Sequence, residues 1–375
     1  MNVVLLNLIL TTAENGVIKR RKTIKDTMIS NCAMGFVKAG HHVTILASEE
    51  FKPTEEETYD YNIIYFKSGL KRLFKPYLIP YPVGMYSYLK RNRSNIDLIV
   101  SSEAFSIGTL IAAMACRSKL EIWQEMAYHQ RKWHKLPSLL WHNLVVRTVL
   151  RNVLVVPRSE PAGRFIARYS ANVSGTMVDH GANGDVLRPA TDGPTDSFIV
   201  VSQLVERKNV AHIIRAFARL AAMPAYSHYR LHIIGDGNQA EALRQLARQL
   251  GVDGNVEFHG FMLHSQMAEL LRHARAMLIA TRRDLNMVSI PESIVSGTPI
   301  VTNTCPTSAS FIARHGLGVV RDGWDETDLI KAIDHYTEFH KACLRERDGL
   351  TREGCANKLV KLYVDNCQKR ACGTK

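Results

Sequence analysis

The chain has 375 residues, 46% of them hydrophobic, with 48 Lys and Arg against 35 Asp and Glu, a net charge of +13 and a pI of about 9.4. This length predicts two domains of ordinary size with sizeable cores, and the charge predicts an anionic partner or surface. With no apolar run of about 18 residues, a membrane-spanning helix is excluded as an expectation. Seven cysteines, an odd number with no Cys-x-x-Cys pair, exclude a disulfide framework or zinc ribbon and predict a reducing, cytoplasmic setting.

The first residues, MNVVLLNLIL, have the apolar character of a signal segment. They lack a basic leader and a small-residue cleavage site, and polar residues follow, so they are read as a buried strand. Short apolar or β-branched runs predict strands at 2–9, 42–47, 61–66, 96–100, 119–123, 153–156 and 176–179, with helices at 26–39 and 105–116 between them. The rhythm restarts with strands at 197–201, 229–234, 255–258, 276–280, 299–302 and 317–320. Helices are predicted at 209–222, 238–250, 264–273, 289–296, 307–314 and 325–341. Strict alternation implies parallel sheets covered on both faces. The Gly-, Pro-, Asp- and Thr-rich stretch 183–197 reads as a linker. The expected fold class is therefore α/β, with two Rossmann-like doubly wound domains facing an interdomain cleft. Their expected bounds are 1–188 and 189–350, with a C-terminal helix over 351–375 packing back toward the first domain. Ligands of such sheets bind at the carboxyl ends of the strands.

Four stretches of the second half follow in order: VSQLVERKN (201–209), IIGDGNQAEALRQLA (233–247), NVEFHGFM (255–262) and RRDLNMVSIPESIVSGTPIV (282–301). The last places two acids, Asp284 and Glu292, seven residues apart and closes on Ser-Gly-Thr-Pro. In this order and spacing they resemble the donor-binding half of GT-B glycosyltransferases, specifically the retaining, glycogen-synthase-like glycosyltransferase family 4. The resemblance covers 198–325 well. It extends weakly over the first half, through GFVKAGHHVTIL and VDHGANGDVLRP. The chain departs from the family pattern in several places. Gln203 stands where an Arg is usual, Asp284 where a Glu is usual, and Met287 where a small residue is usual. Asn15-Gly16 is the nearest substitute for the family's first Gly-Gly loop, and Gln124-Glu125 replaces a His-acid pair.

The resemblance implies a nucleotide-sugar donor, UDP- or GDP-linked, whose diphosphate leaves as the glycosidic bond breaks. Fixed positive groups and backbone N–H donors must meet the growing charge. Lys208 is the expected cation, with Arg207 beside it and Gln203 supplying a hydrogen bond without charge. The turn formed by Asn286, Met287, Val288 and Ser289 supplies N–H groups at a helix start. Glu292 is expected to accept the ribose hydroxyls and Asp284 to face the sugar. Asp284, Lys208 and, in the first half, Glu125 are the candidate catalytic residues. Plainer readings stand beside these. Ser289-x-x-Glu292 fits a capping box, Lys208 fits a solvated lysine before a helix, and Gly235-Asp236-Gly237 fits a structural turn. The histidines show no pair at metal-ligand spacing on a helix, so no structural metal is expected, and the resemblance implies no catalytic metal or other cofactor.

Two basic stretches, 67–93 and 129–151, interleave Lys and Arg with Leu, Phe, Tyr and Trp, including Trp133 and Trp141. They fit contact with an anionic membrane surface or a solvated face over core aromatics. No nucleic-acid-binding signature accompanies them. The expected acceptor is a glycan or lipid-linked saccharide, as in bacterial surface polysaccharide synthesis. Two alternatives are a catalytically inactive GT-B-like subunit that binds a glycan or partner, and a GT-B epimerase or phosphorylase.

Overall fold

A computed structural model of the chain describes residues 1–11, 18, 21–25, 27–129, 135–283 and 287–372. Its strands are β1 (Asn2–Leu6), β2 (His42–Ser48), β3 (Asn62–Phe66), β4 (Ser68–Gly69), β5 (Tyr81–Pro82), β6 (Leu98–Ser102), β7 (Leu120–Gln124), β8 (Leu154–Pro157), β9 (Ser197–Val201), β10 (Arg230–Ile234), β11 (Val256–Gly260), β12 (Ala276–Leu278), β13 (Ile300–Thr302) and β14 (Gly318–Val320). The helices are α1 (Met28–Lys38), α2 (Met85–Arg91), α3 (Ile107–Cys116), α4 (Lys135–Trp141), α5 (Glu160–Ile166), α6 (Val210–Ala221), α7 (Ala240–Gln249), α8 (His264–His273), α9 (Ser289–Val295), α10 (Ala309–His315), α11 (Glu326–Asp334), α12 (Tyr336–Leu350) and α13 (Arg352–Cys372). The chain divides into two units, Met1–His180 with Arg352–Lys375, and Gly181–Thr351.

The first unit is built on a six-stranded sheet in the order β3-β2-β1-β6-β7-β8, with every pair parallel. The apolar opening of the chain is its central strand. Val3, Val4, Leu5 and Leu6 are all buried, as a strand covered on both faces requires. One face packs on α1 and α13, where Ala33 and Phe36 meet Cys355, Ala356 and Leu359. The other buries Leu89, Ala112 and Ala113 of α2 and α3. Side-chain caps start α1 and α5. Thr27 Oγ1 accepts from Ser30 N–H, and Ser159 Oγ accepts from Ala162 N–H.

The second unit repeats the plan in the order β11-β10-β9-β12-β13-β14, again all parallel. Phe198, Ile213, Phe217, Leu231 and Trp324 fill one side of its sheet; Met267, Ile290, Ile294 and Ile300 fill the other. Both units thus have the doubly wound order, with the topological switch between β1 and β6 in one and between β9 and β12 in the other.

Two expected elements differ. No strand forms at 176–179. There the chain runs beside β8 with only isolated contacts, a bridge from Val173 to Val155 and a bond from Val178 N–H to the Pro157 carbonyl. The single helix expected at 325–341 is two, α11 and α12, broken at His335, whose φ of −100° and ψ of 16° leave the helical region. Asp325 opens α11 with a capping box to Asp328.

Candidate functional site

In the second unit, the loops leaving β9 and β12 lie at the switch point and are bonded to one another. Arg282 N–H donates to the Arg207 carbonyl at 2.8 Å, and Thr281 Oγ1 donates to the same oxygen at 3.1 Å. Glu206 pairs with Arg282 at 3.4 Å. Residues 206–208 form one turn of 3₁₀ helix, closed by Asn209 in the left-handed region at φ 53°, and α6 begins immediately after it. This geometry gathers Gln203, Arg207, Lys208, Arg282 and Arg283 on two cross-linked loops. Gln203 is exposed and Lys208 is half-buried. Asp284 and Asn286 lie outside the described residues.

The Gly235-Asp236-Gly237 turn has a structural role in holding the β9 loop. Gly235 has φ 131°, and a Cβ there would stand 1.9 Å from the Ser202 carbonyl oxygen; one at Gly237 would stand 2.2 Å from that of Leu204. The contact is sealed by Leu204 N–H to Asp236 O at 2.8 Å and Gln239 N–H to Leu204 O at 2.9 Å. Backbone lies on backbone, so only glycine fits.

The α9 helix is buried along its whole length. Val288 is its N-cap residue and no side chain caps it, so the capping box of Ser289 and Glu292 does not form. Met287 is buried in the core cluster beneath the helix, Ser289 is buried, and Val288 is exposed. The Glu292 side chain is only 8% exposed, and its Oε1 lies 2.8 Å from His264 Nε2, at the start of α8. A desolvated carboxylate needs such a partner. His264 carries no motif, so its role was invisible in the sequence.

In the first unit Glu125 belongs to a cluster at the carboxyl ends of β6, β7 and β8. Its Oε2 pairs at 2.7 Å with Nη1 of Arg158, a side chain only 2% exposed, whose guanidinium stacks 3.7 Å above the Trp123 ring. His180 Nδ1 lies 3.4 Å from the same Nη1. Burial and Arg158 hold this imidazole well below the usual histidine range. Glu103 is a functional candidate that sequence reasoning missed. It follows β6 at the switch point in a left-handed conformation, φ 71°, which a non-glycine residue adopts only at a cost. Its Oε1 accepts from Glu125 N–H at 2.8 Å and Met126 N–H at 3.0 Å, while its buried Oε2 has no hydrogen-bond partner among the described residues. Burial pushes the Glu103 carboxyl up to about 7, against the pull of Arg158 and with the help of Glu125. Burial likewise raises Asp179, to about 6. A carboxyl titrating near neutrality, with one oxygen uncommitted, can hold or pass a proton.

Residues 189–345, less than half of the chain, match the family described as "Glycosyl transferases group 1". Over 130 residues the chain is 32% identical to an exopolysaccharide phosphotransferase of Streptomyces coelicolor, covering 35% of this chain and 14% of that protein. Over 319 residues it is 26% identical to the alpha-monoglucosyldiacylglycerol synthase of Streptococcus pneumoniae, covering 79% and 71%. The solved structure of HepE from Anabaena in complex with UDP superposes with a TM-score of 0.59 at 13% identity, covering 100% of this chain and 99% of that one. The chain spans only a small part of the first of these relatives, and the structural likeness establishes fold. The two Rossmann-like units thus have the GT-B architecture, and the second contains the segment that matches the group 1 glycosyl transferases.

Proposed function

We propose that the protein is a retaining glycosyltransferase that moves a sugar from a nucleotide-sugar donor to a glycan or lipid-linked saccharide, in bacterial surface polysaccharide or glycolipid synthesis. The observation that carries this reading is the cross-linked pair of loops at the β9–β12 switch point, which concentrates Arg207, Lys208, Arg282 and Arg283 within the group 1 segment. Positive charge fixed there opposes the negative charge that grows on a departing diphosphate. Lys208 and Gln203 contact the diphosphate, together with the backbone of Asn286, Met287, Val288 and Ser289. Glu292, already aimed by His264, accepts the ribose hydroxyls, and Asp284 faces the sugar. The S. pneumoniae relative is named for a glycolipid product and HepE was solved with UDP; both agree with this assignment. Attack by the acceptor on the face that the leaving group departs needs no protein base, since the donor phosphate itself takes the proton. No metal takes part in this chemistry. Glu125, held by Arg158, is the acceptor-side candidate.

The first unit carries features that suit a cytoplasmic membrane surface. Leu136, Leu140 and Leu144 stand exposed at four-residue spacing, and Leu70 and Leu73 are exposed beside Lys71, Arg72 and Lys75. Among the described residues no helix is long and apolar enough to cross a membrane.

The test is a panel of UDP-, GDP- and ADP-sugars assayed for hydrolysis and for transfer to lipid-linked saccharides, with product anomers determined. Transfer with retention supports the reading. Nucleotide binding without turnover on any donor would replace it by the non-catalytic alternative, for which Gln203 in place of an arginine is the specific observation.

A further inference from the structure

The second unit holds a convergence of side chains away from the cross-linked loops. His232 on β10 and Glu257 on β11 are direct partners in the strand register. Beyond them the register shifts, with Ile233 opposite Phe258 and Ile234 opposite Gly260, so that His259 is the extra residue of a β-bulge closed by Gly260 at φ 68°. A bulge re-aims the side chain it carries. Here it brings His259 Nε2 to 3.1 Å from His232 Nδ1 and to 3.7 Å from Glu257 Oε2, with His232 Nδ1 at 3.3 Å from that oxygen.

A shared proton can hold such a group, with an imidazole N–H donating to the other ring or to the carboxylate, and a divalent cation can take the place of that proton with all three atoms as ligands. Ligands about 2.0–2.1 Å from a tetrahedral metal are separated by about 3.3 Å, and the three edges of this triangle bracket that value. The outer shell is also present. Arg230 Nη1 binds the other carboxylate oxygen, Oε1, at 3.0 Å, which turns Oε2 toward the imidazoles. The Glu257 and His259 side chains are partly exposed, which leaves the group open to solvent.

We propose that His232, Glu257 and His259 form a binding site for a divalent transition-metal ion of the Zn²⁺ type, with a fourth position left to water. The ion clamps the edge strand β11 onto β10 through the bulge. Helix-based spacing of histidines does not find this set, because its members lie across two strands.

The test uses the full chain without an affinity tag, stripped with chelator and titrated with Co²⁺ and Zn²⁺. The expected result is one saturable equivalent, with the visible absorption of four-coordinate Co²⁺, its displacement by Zn²⁺, and a metal-dependent rise in melting temperature. His259→Gln and, separately, Glu257→Gln should each weaken Co²⁺ binding at least about tenfold while the metal-free melting temperature changes little. Arg230→Gln should weaken it by about 10–100-fold, the usual effect of losing an outer-shell partner. No saturable binding, or Co²⁺ affinity unchanged in both His259→Gln and Glu257→Gln, overturns the proposal and leaves the three groups sharing protons only. Because the readout is metal binding, its failure is distinct from failure of glycosyl transfer.

Discussion

Lys208 and Glu292 are placed by different means, and their substitutions should fail differently. Lys208 is presented by a loop held through backbone bonds around Arg207, so shortening its side chain leaves the loop intact. Lys208→Ala should reduce turnover by about 2.7–4 kcal/mol, the usual cost of losing a positioned partner of developing charge, with little change in melting temperature. Near-normal turnover would remove the diphosphate assignment. Glu292→Gln should weaken bare nucleotide and sugar nucleotide alike, at least about tenfold, because hydrogen bonds to a charged group contribute about 1.5–3 kcal/mol and ribose is common to both ligands. Calorimetric titration with both ligands decides this, and unequal losses would take Glu292 off the ribose. Glu103 makes a prediction through pH. Its carboxyl moves from 4.5 to about 7 on folding. Below pH 4.5 both states are protonated and its contribution is intact. As pH rises through the window to 7 the unfolded chain ionises first, and stability is lost. Glu103→Gln removes this titration. The stability of the variant relative to the parent should therefore rise between pH 4.5 and 7 by an amount on the order of 3 kcal/mol. Urea denaturation at pH 5 and pH 8 measures it, and an equal difference at both values would contradict the assignment.

At the scale of elements, the turn after β10 couples fold to site. A methyl group at Gly235 has a carbonyl oxygen 1.9 Å away and no flexible side chain to displace, whereas Gly251, also at positive φ (68°), has open space around it. Gly251→Ala should cost about 1–2 kcal/mol, the left-handed penalty alone. Gly235→Ala should cost several kcal/mol more and abolish nucleotide binding, since the loop carrying Gln203 and Lys208 must move. Thermal denaturation of the pair tests the argument, and equal losses would show that the turn yields. The same turn shows what was legible. Val-, Ile- and Leu-rich runs identified the sheet strands because buried parallel strands are apolar on both faces, and the glycines marked a turn. The break between α11 and α12 was not legible, since His335 is neither Gly nor Pro. The hairpin of β4 and β5 was missed because two-residue strands carry no period. At the site, Lys208 and Glu292 stood in ordered motifs. Glu103, Arg158 and His180 are far apart in the chain; the sheet places the first two, and the segment running beside β8 brings in His180, so the sole signal was a polar residue directly after the apolar runs of β6 and β8. His264, His232 and His259 were unreadable for a related reason, because their partners are set by strand register and helix packing.

For the whole molecule, the proposed membrane contact would draw on the +13 charge and on the exposed leucines in separable ways. Basic residues near an anionic surface contribute about 1 kcal/mol each and are screened by salt. Exposed leucines insert through the hydrophobic effect, which salt does not weaken. Binding to phosphatidylglycerol vesicles should therefore be strong at low salt, fall steeply as salt rises, and be weak on phosphatidylcholine. A triple variant, Leu136→Ser, Leu140→Ser and Leu144→Ser, should bind less at every salt concentration yet keep the same salt slope, because no charge has changed. These three side chains are 59%, 57% and 64% exposed, so the melting temperature should stay close to that of the parent. Vesicle sedimentation across a salt series reads both quantities. A triple variant that bound as the parent does would confine the interaction to charge, and an absence of binding at low salt would remove the membrane surface as the partner of this charge.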